Sequence, residues 1–295
     1  MSDSIFISIA SYRDNSCNET IKNLLKMAKF PDNIYIGICQ QNKEGDQDAL
    51  YDINNPNINI IRISYKDAKG PVYARYLCSK LYNNEKYFMQ IDSHSKFIKH
   101  WDIKSIYAIK NIKKYNLSSK PVLSHYPRSM KDYDSFSDSK RNNITYIKDF
   151  SINNYNVIKF NGARFIQTNN SFIKTPFVTG GFIFTEGSFL KDIPYDNELE
   201  YLFTGEEILN SIRFYTHGYD IFIPNENIIF HNYIRKNEPK LWDDVYYIDK
   251  KIKINKKIAD VLKCKNNYDI NKIINKGVGY VRNVNDYYKL INYIN

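Results

Sequence analysis

From Ile5 to Tyr126 the chain alternates short apolar runs with helical patterns, and this alternation restricts the fold more than any other feature. Ile5–Tyr12, Ile34–Cys39, Ile58–Tyr65 and Lys86–Asp92 read as strands, with helices over Thr20–Ala28 and Val72–Tyr82 between them. A helix over Trp101–Lys113 and a strand over Pro121–Tyr126 follow. Strands separated by helices predict an α/β fold with a mostly parallel, doubly wound sheet. In such sheets a ligand sits beyond the carboxyl ends of the strands, at the topological switch point. Those ends carry Ser11-Tyr12-Arg13-Asp14 after the first strand and Asp92-Ser93-His94 after the fourth.

The remainder is less periodic. Lys131–Asn156 is rich in Ser, Asp and Asn and reads as a long loop or lid. Strands are predicted at Val157–Phe160 and Arg164–Thr168, then at Pro176–Phe184, where Gly180-Gly181 interrupts an apolar run. Glu206–His217 reads as a helix, Ile221–His231 as two short strands, and Glu238–Asn295 as a Lys-rich helical tail. The expected organisation is one domain over residues 1–237, with a first half (1–127) and a second half (157–237). A helical extension (238–295) packs on it.

Asp92 and His94 offer mixed oxygen and nitrogen ligation, which suits Mn²⁺ and related ions better than Ca²⁺. Alternate residues of a strand share a face, so both are expected to point into one space. Two protein ligands suffice if substrate phosphates and one more side chain complete the shell. His231, at the end of the apolar run Asn227-Ile-Ile-Phe-His231, is the candidate third ligand; a hydrogen-bonded structural histidine is the alternative.

Arg75, on the helix before the Asp92 strand, could hold phosphate or nucleobase oxygens with its planar fork, or pair with an acid on the helix surface. Thr204 and Glu207 fit a capping box, which accounts for Glu207 structurally. Glu206 has no such account beyond the helix dipole and is the candidate active-site acid. Gly180-Gly181 would admit a ligand close to backbone amides, or a packed neighbouring strand.

A net charge of +10 permits an anionic partner, but the lysines are scattered, as on a solvated surface. No RNP-like, helix-turn-helix or zinc-finger pattern supports nucleic-acid binding. No apolar run is long enough to span a bilayer, and the segment from Met1 reads as a strand, so a soluble cytoplasmic protein without a membrane partner is expected. Cys17, Cys39, Cys78 and Cys264 are far apart and read as free thiols.

Ile5-Phe-Ile-Ser-Ile-Ala-Ser-Tyr-Arg-Asp14, Gly70-Pro-Val-Tyr-Ala-Arg75, Tyr87-Phe-Met-Gln-Ile-Asp-Ser-His94, Trp101-Asp102 and Lys120-Pro-Val-Leu123 occur in this order. Gly181-Phe182, Leu202-Phe-Thr-Gly-Glu-Glu207, Arg213-Phe-Tyr-Thr-His-Gly-Tyr-Asp220, His231 and Trp242 follow. In that order they resemble the soluble hydroxyproline polypeptide N-acetylglucosaminyltransferases of protists, whose acceptor is a prolyl-hydroxylated ubiquitin-ligase adaptor. A more distant similarity is to the mucin-type polypeptide N-acetylgalactosaminyltransferases, which share an Asp-x-His motif, an upstream Arg, a Gly-Gly strand, a Gly-Glu helix start and a later His. Tyr73, Tyr215 and Tyr219 stand where the family often has Trp.

The resemblance implies a GT-A fold, a UDP-sugar donor such as UDP-GlcNAc, Mn²⁺ or Mg²⁺, a polypeptide acceptor and retention of anomeric configuration. Carried over by position, Asp92 would contact ribose and metal, and His94 and His231 would bind the metal. Arg75, Ser11, Tyr12 and Arg13 would line the nucleotide site, and Gly180, Gly181 and Glu206 would face the sugar and acceptor. Front-face attack is expected, because no second strongly placed acid is evident beside Glu206. The alternative acceptor is a glycan or small molecule.

Overall fold

A computed structural model describes residues 3–235 and 238–293. The boundary expected at residues 237 and 238 and the last residues of the tail touch positions outside those described. In chain order the elements of the first half are β1 (Ile5–Tyr12), α1 (Cys17–Met27), β2 (Ile34–Asn42), β3 (Ile58–Ser64), α2 (Pro71–Ser79) and β4 (Tyr87–Asp92). β5 (Ser95–Phe97), α3 (Trp101–Lys114), β6 (Pro121–Leu123) and β7 (Arg128–Ser129) come next.

The second half contains β8 (Asn143–Tyr146), β9 (Phe150–Ile152), β10 (Ile158–Phe160), β11 (Arg164–Gln167), β12 (Ile173–Lys174) and β13 (Phe182–Glu186). It continues with α4 (Phe189–Asp192), α5 (Glu206–Thr216), β14 (Asp220–Ile223) and β15 (Ile229–His231), and ends with α6 (Leu241–Asp244), α7 (Ile248–Lys263), α8 (Asn267–Ile273) and α9 (Val284–Leu290).

Eight strands form one sheet in the order β12-β14-β6-β13-β4-β1-β2-β3. β1, β2, β3 and β4 pair in parallel, as do β6 and β14, while β13 runs antiparallel between β4 and β6. The chain moves outward from β1 through β2 to β3, then returns by α2 to place β4 on the other side of β1. The carboxyl ends of β1 and β4 therefore flank the switch point.

The apolar runs of β1 and β4 are buried on both faces, as a sheet covered by helices requires. Ile5, Ile7, Ile9, Met89 and Ile91 share a core with Ile21 and Leu24 of α1 and Trp101 and Ile109 of α3. Phe6 and Phe88, one residue out of step, pack on the opposite face with Phe189 and Phe214. A third core joins Ile208, Leu209 and Ile212 of α5 to Ile258 and Leu262 of α7, Ile270 of α8 and Tyr287 and Tyr288 of α9.

Three sequence expectations change. The segment Lys131–Asn156 is not one structureless loop: β8 pairs with β11 and β9 with β10, both antiparallel. These are short strands whose polar residues concealed their alternation. The strand expected over Pro176–Phe184 begins only at Phe182, after the two glycines. The capping box is absent: α5 opens at Gly205, whose φ of 102° a side-chain-bearing residue rarely adopts, and no side chain caps it.

Candidate functional site

β4 delivers Asp92 as its last residue, and the chain then bends through Ser93-His94 into β5. His94 thus reaches the site through a bend, not through strand alternation as its spacing had suggested. β5 pairs antiparallel with β15, with His231 opposite Ser95, and the Asn232 N–H donates to the His94 carbonyl at 3.0 Å. That three-stranded unit, completed by β7, seats His231 beside His94.

Asp92, His94 and His231 each offer a ligand atom, all within 4.8 Å of one another. The His94 and His231 rings lie 4.5 Å apart between centroids, and His231 Nε2 is 3.1 Å from Asp92 Oδ2. Two ligands bound at right angles about 2.1 Å from a shared octahedral cation are about 3 Å apart, so this spacing is compatible with a common ion.

His94 is held by a partner the sequence reading did not assign. Its Nδ1 lies 2.7 Å from Asp14 Oδ2, and Ser93 Oγ donates to the same oxygen at 2.5 Å. A carboxylate can only accept, so the imidazole proton sits on Nδ1 and the Nε2 lone pair is left for a metal. Burial pushes Asp14 up, but the hydrogen bonds from His94 and Ser93 and the nearby Arg235 charge outweigh it and hold the carboxyl at about 2. Asp14 also accepts from the Ser16 N–H at 2.9 Å at the start of α1. Its place directly after the first strand was the available signal.

Arg75 is 3% exposed, and its guanidinium is committed within the protein. Nη1 donates to Glu206 Oε1, and Nη2 donates to Asp92 Oδ1 and to the Gly180 carbonyl, each at 3.0 Å. Arg75 is thus not a surface residue; it fixes one oxygen of Asp92 and leaves Oδ2 toward His231. Burial pushes the Asp92 carboxyl up, but its hydrogen bond with His231 and then the Arg75 charge hold it far below its ordinary value.

Glu206, the expected active-site acid, is 6% exposed beneath Arg75. The neighbouring Glu207 braces the glycine pair: Oε1 accepts from the Gly180 N–H at 2.9 Å, and burial pushes its pKa up to about 7. The sequence had placed no second acid here, because a capping box explained Glu207 sufficiently. Gly180 has both backbone groups engaged, its carbonyl also accepting from Gln90 Nε2 at 2.7 Å. Gly181 is a close approach, since a Cβ there would stand 3.1 Å from Asp92 Oδ2.

At the end of β1, Ser11 is buried, so its side chain does not open on the crevice. Tyr12 and Arg13 do stand there, joined to α6: Asp244 accepts from Tyr12 Oη at 2.8 Å and from Arg13 Nη1 at 2.9 Å. Arg13 also pairs with Asp46 at 2.8 Å and has a positive φ of 44°, a strained conformation for a residue with a side chain.

The donor set fits a divalent cation: one carboxylate oxygen, two imidazoles, and a buried carboxylate fixing the tautomer of one of them. His231 Nδ1 is buried and has no hydrogen-bond partner among the described residues.

The sequence matches the family described as glycosyltransferase (GlcNAc) over residues 4–54 and 47–292. No curated protein matches it. Residues 1–349 of S. aureus TarS in complex with UDP-GlcNAc share 13% identity at a TM-score of 0.51, over 88% of this chain and 67% of that one. GalNAc-T7 with UDP, GalNAc and Mn²⁺ shares 12% identity at a TM-score of 0.60, and this chain, matched over 98% of its residues, spans 55% of that protein. The mannosyltransferase PcManGT of Pyrobaculum calidifontis in complex with GDP-Man and Mn²⁺ shares 10% identity at a TM-score of 0.50, over 79% of this chain and 58% of its own. The architecture, a large and mostly parallel sheet flanked by helices, is that of these GT-A glycosyltransferases.

Proposed function

The chain belongs to the glycosyltransferase (GlcNAc) family, and from that premise we propose that it transfers GlcNAc from UDP-GlcNAc to a polypeptide hydroxyl, hydroxyproline or Ser/Thr, with retention of configuration. The observation that carries this reading is the cluster of Asp92, His94 and His231 at the switch point between β1 and β4, where open α/β sheets bind their ligands. The UDP-sugar and Mn²⁺ ligands of the structural neighbours support it.

Asp92, His94 and His231 would hold Mn²⁺ or Mg²⁺, which supplies electrostatic compensation for charge on the diphosphate leaving group. Asp14 fixes His94, Arg75 fixes Asp92, and Gly181 keeps the approach to Asp92 Oδ2 clear. The acceptor hydroxyl attacks the anomeric carbon on the face the diphosphate leaves: the bond from carbon to phosphate oxygen breaks, the new glycosidic bond forms, and the hydroxyl proton passes to the departing β-phosphate.

No described helix is long and apolar enough to cross a membrane. A cytoplasmic location belongs to the same reading; the four cysteines are all unpaired, as a reducing compartment favours.

The test is a screen of UDP-sugar hydrolysis and of transfer to hydroxyproline and Ser/Thr peptides, read by mass spectrometry. Turnover of UDP-GlcNAc with a mass gain of one N-acetylhexosamine on a peptide is expected. Turnover of UDP-GlcNAc with products only on free glycans would overturn the polypeptide acceptor.

A further inference from the structure

We propose that Gln90, held in turn by Tyr195, is a positioning residue for the cation site: it fixes Gly180 and, through it, the Arg75 guanidinium that orients Asp92. The inference rests on the metal reading above and adds two residues that never touch the ion.

Gln90 stands two positions before Asp92 in β4, so the two side chains share one face of the sheet. It is a fully buried amide in the otherwise apolar run Tyr87–Ile91, and such a group is tolerated at low cost only when it is hydrogen-bonded. Here both ends are satisfied. Nε2 donates to the Gly180 carbonyl at 2.7 Å, and Oε1 accepts from Tyr195 Oη at 2.5 Å. A carbonyl can only accept, so one orientation of the amide meets both partners. Tyr195 is 8% exposed and follows Pro194, whose carbonyl accepts from Arg213 Nη2 of α5 at 2.5 Å.

The Gly180 carbonyl passes this constraint to the site. It accepts a second bond from Arg75 Nη2 at 3.0 Å, and the same nitrogen donates to Asp92 Oδ1 at 3.0 Å. That nitrogen carries two protons, one for each oxygen, so moving the carbonyl moves the guanidinium and Asp92 with it. Asp92 Oδ2 is thereby kept 3.1 Å from His231 Nε2, a spacing compatible with a common ion. Gln90 therefore acts on a metal ligand through two intervening groups, in surroundings whose burial strengthens each hydrogen bond of the series.

The experiment compares wild type, Gln90→Met, Gln90→Glu and Tyr195→Phe by urea unfolding, by calorimetric titration with Mn²⁺, and by visible absorption of the Co²⁺-loaded proteins, whose bands report ligand geometry. Met fills the Gln volume without a donor, and Glu sets an acceptor against the Gly180 carbonyl. Mn²⁺ affinity is expected to fall about tenfold in both, the low end for residues placed behind a ligand. A fall of about threefold is expected in Tyr195→Phe, which loses one buried hydrogen bond. The Co²⁺ bands should shift in all three. A lowered urea midpoint with wild-type Mn²⁺ affinity and wild-type Co²⁺ bands would show that Gln90 only supports the fold, and would overturn the proposal. If neither Gln90 variant folds, Tyr195→Phe decides between the same two outcomes. Absence of Mn²⁺ binding by wild type would instead sink the metal reading, and this proposal with it.

Discussion

The Nδ1 atom of His94 lies 2.7 Å from Oδ2 of Asp14, so the carboxylate ending the β1 segment sets the tautomer of the histidine following β4. Removing a carboxylate that orients a ligating histidine typically lowers metal affinity 10- to 100-fold. Asp14→Asn is expected to weaken Mn²⁺ binding within that range, measured by titration calorimetry, while leaving His94 in place. Unaltered affinity would mean that Asp14 serves only the start of α1.

Arg75 joins Glu206, Asp92 and Gly180 from a position 3% exposed. Breaking a buried ion pair by removing one partner costs about 3–5 kcal/mol. Arg75→Ala is therefore expected to shift the urea midpoint far down, and Arg75→Lys to recover only part, because an ammonium cannot reproduce the planar fork. Full rescue by Lys would show that charge alone matters here.

This pair also shows where the sequence was legible. The switch-point location of Asp92, His94 and His231 followed from strand and helix periodicity, because each lies at or just beyond a buried apolar run. Arg75 was visible as a candidate but not its partners: which oxygen a guanidinium meets depends on how β13 and α5 pack on β4, and no local spacing encodes that. The hydrogen-bond partner of Glu207 was missed for a related reason. Thr204 and Glu207 have capping-box spacing, but Gly205 takes the N-cap position with positive φ, and this turns Glu207 toward Gly180. The strands β8 and β9 within Lys131–Asn156 were hidden because, at four and three residues, they are too short for their alternation to stand out from the polar chain around them.

Burial raises the Glu207 pKa from 4.5 to about 7, with the charge of Glu206 adding to it and the Gly180 N–H opposing. A raised folded-state pKa stabilises the fold fully below the unfolded value and is lost as pH climbs through the folded one. The span corresponds to at most about 3 kcal/mol at 1.36 kcal/mol per pH unit. Glu207→Gln lacks this dependence, so its melting temperature should gain on wild type between about pH 5 and pH 8, where the group ionises. Parallel profiles would show that Glu207 titrates near its ordinary value.

Gly181 leaves room beside the metal-facing oxygen of Asp92: a Cβ would come within 3.1 Å of Oδ2 and 3.3 Å of Pro127 Cγ. Asp92 is pinned by Arg75 and Pro127 is a ring, so neither yields readily. Overpacking of this kind costs about 1–3 kcal/mol, and Gly181→Ala is expected to lower Mn²⁺ affinity about tenfold or more. An affinity equal to wild type would mean that Asp92 can turn away freely.

The central claim is that Asp92, His94 and His231 act together on one divalent cation needed for release of the diphosphate. UDP-GlcNAc hydrolysis should be measured in wild type, Asp92→Ala, His94→Ala and His231→Ala, in EDTA and across a Mn²⁺ titration. The account predicts no turnover by wild type in EDTA, recovery on adding Mn²⁺, and no recovery in Asp92→Ala or His94→Ala at any Mn²⁺ concentration. Hydrolysis at the wild-type rate in EDTA, or full activity in either of those variants, would contradict it.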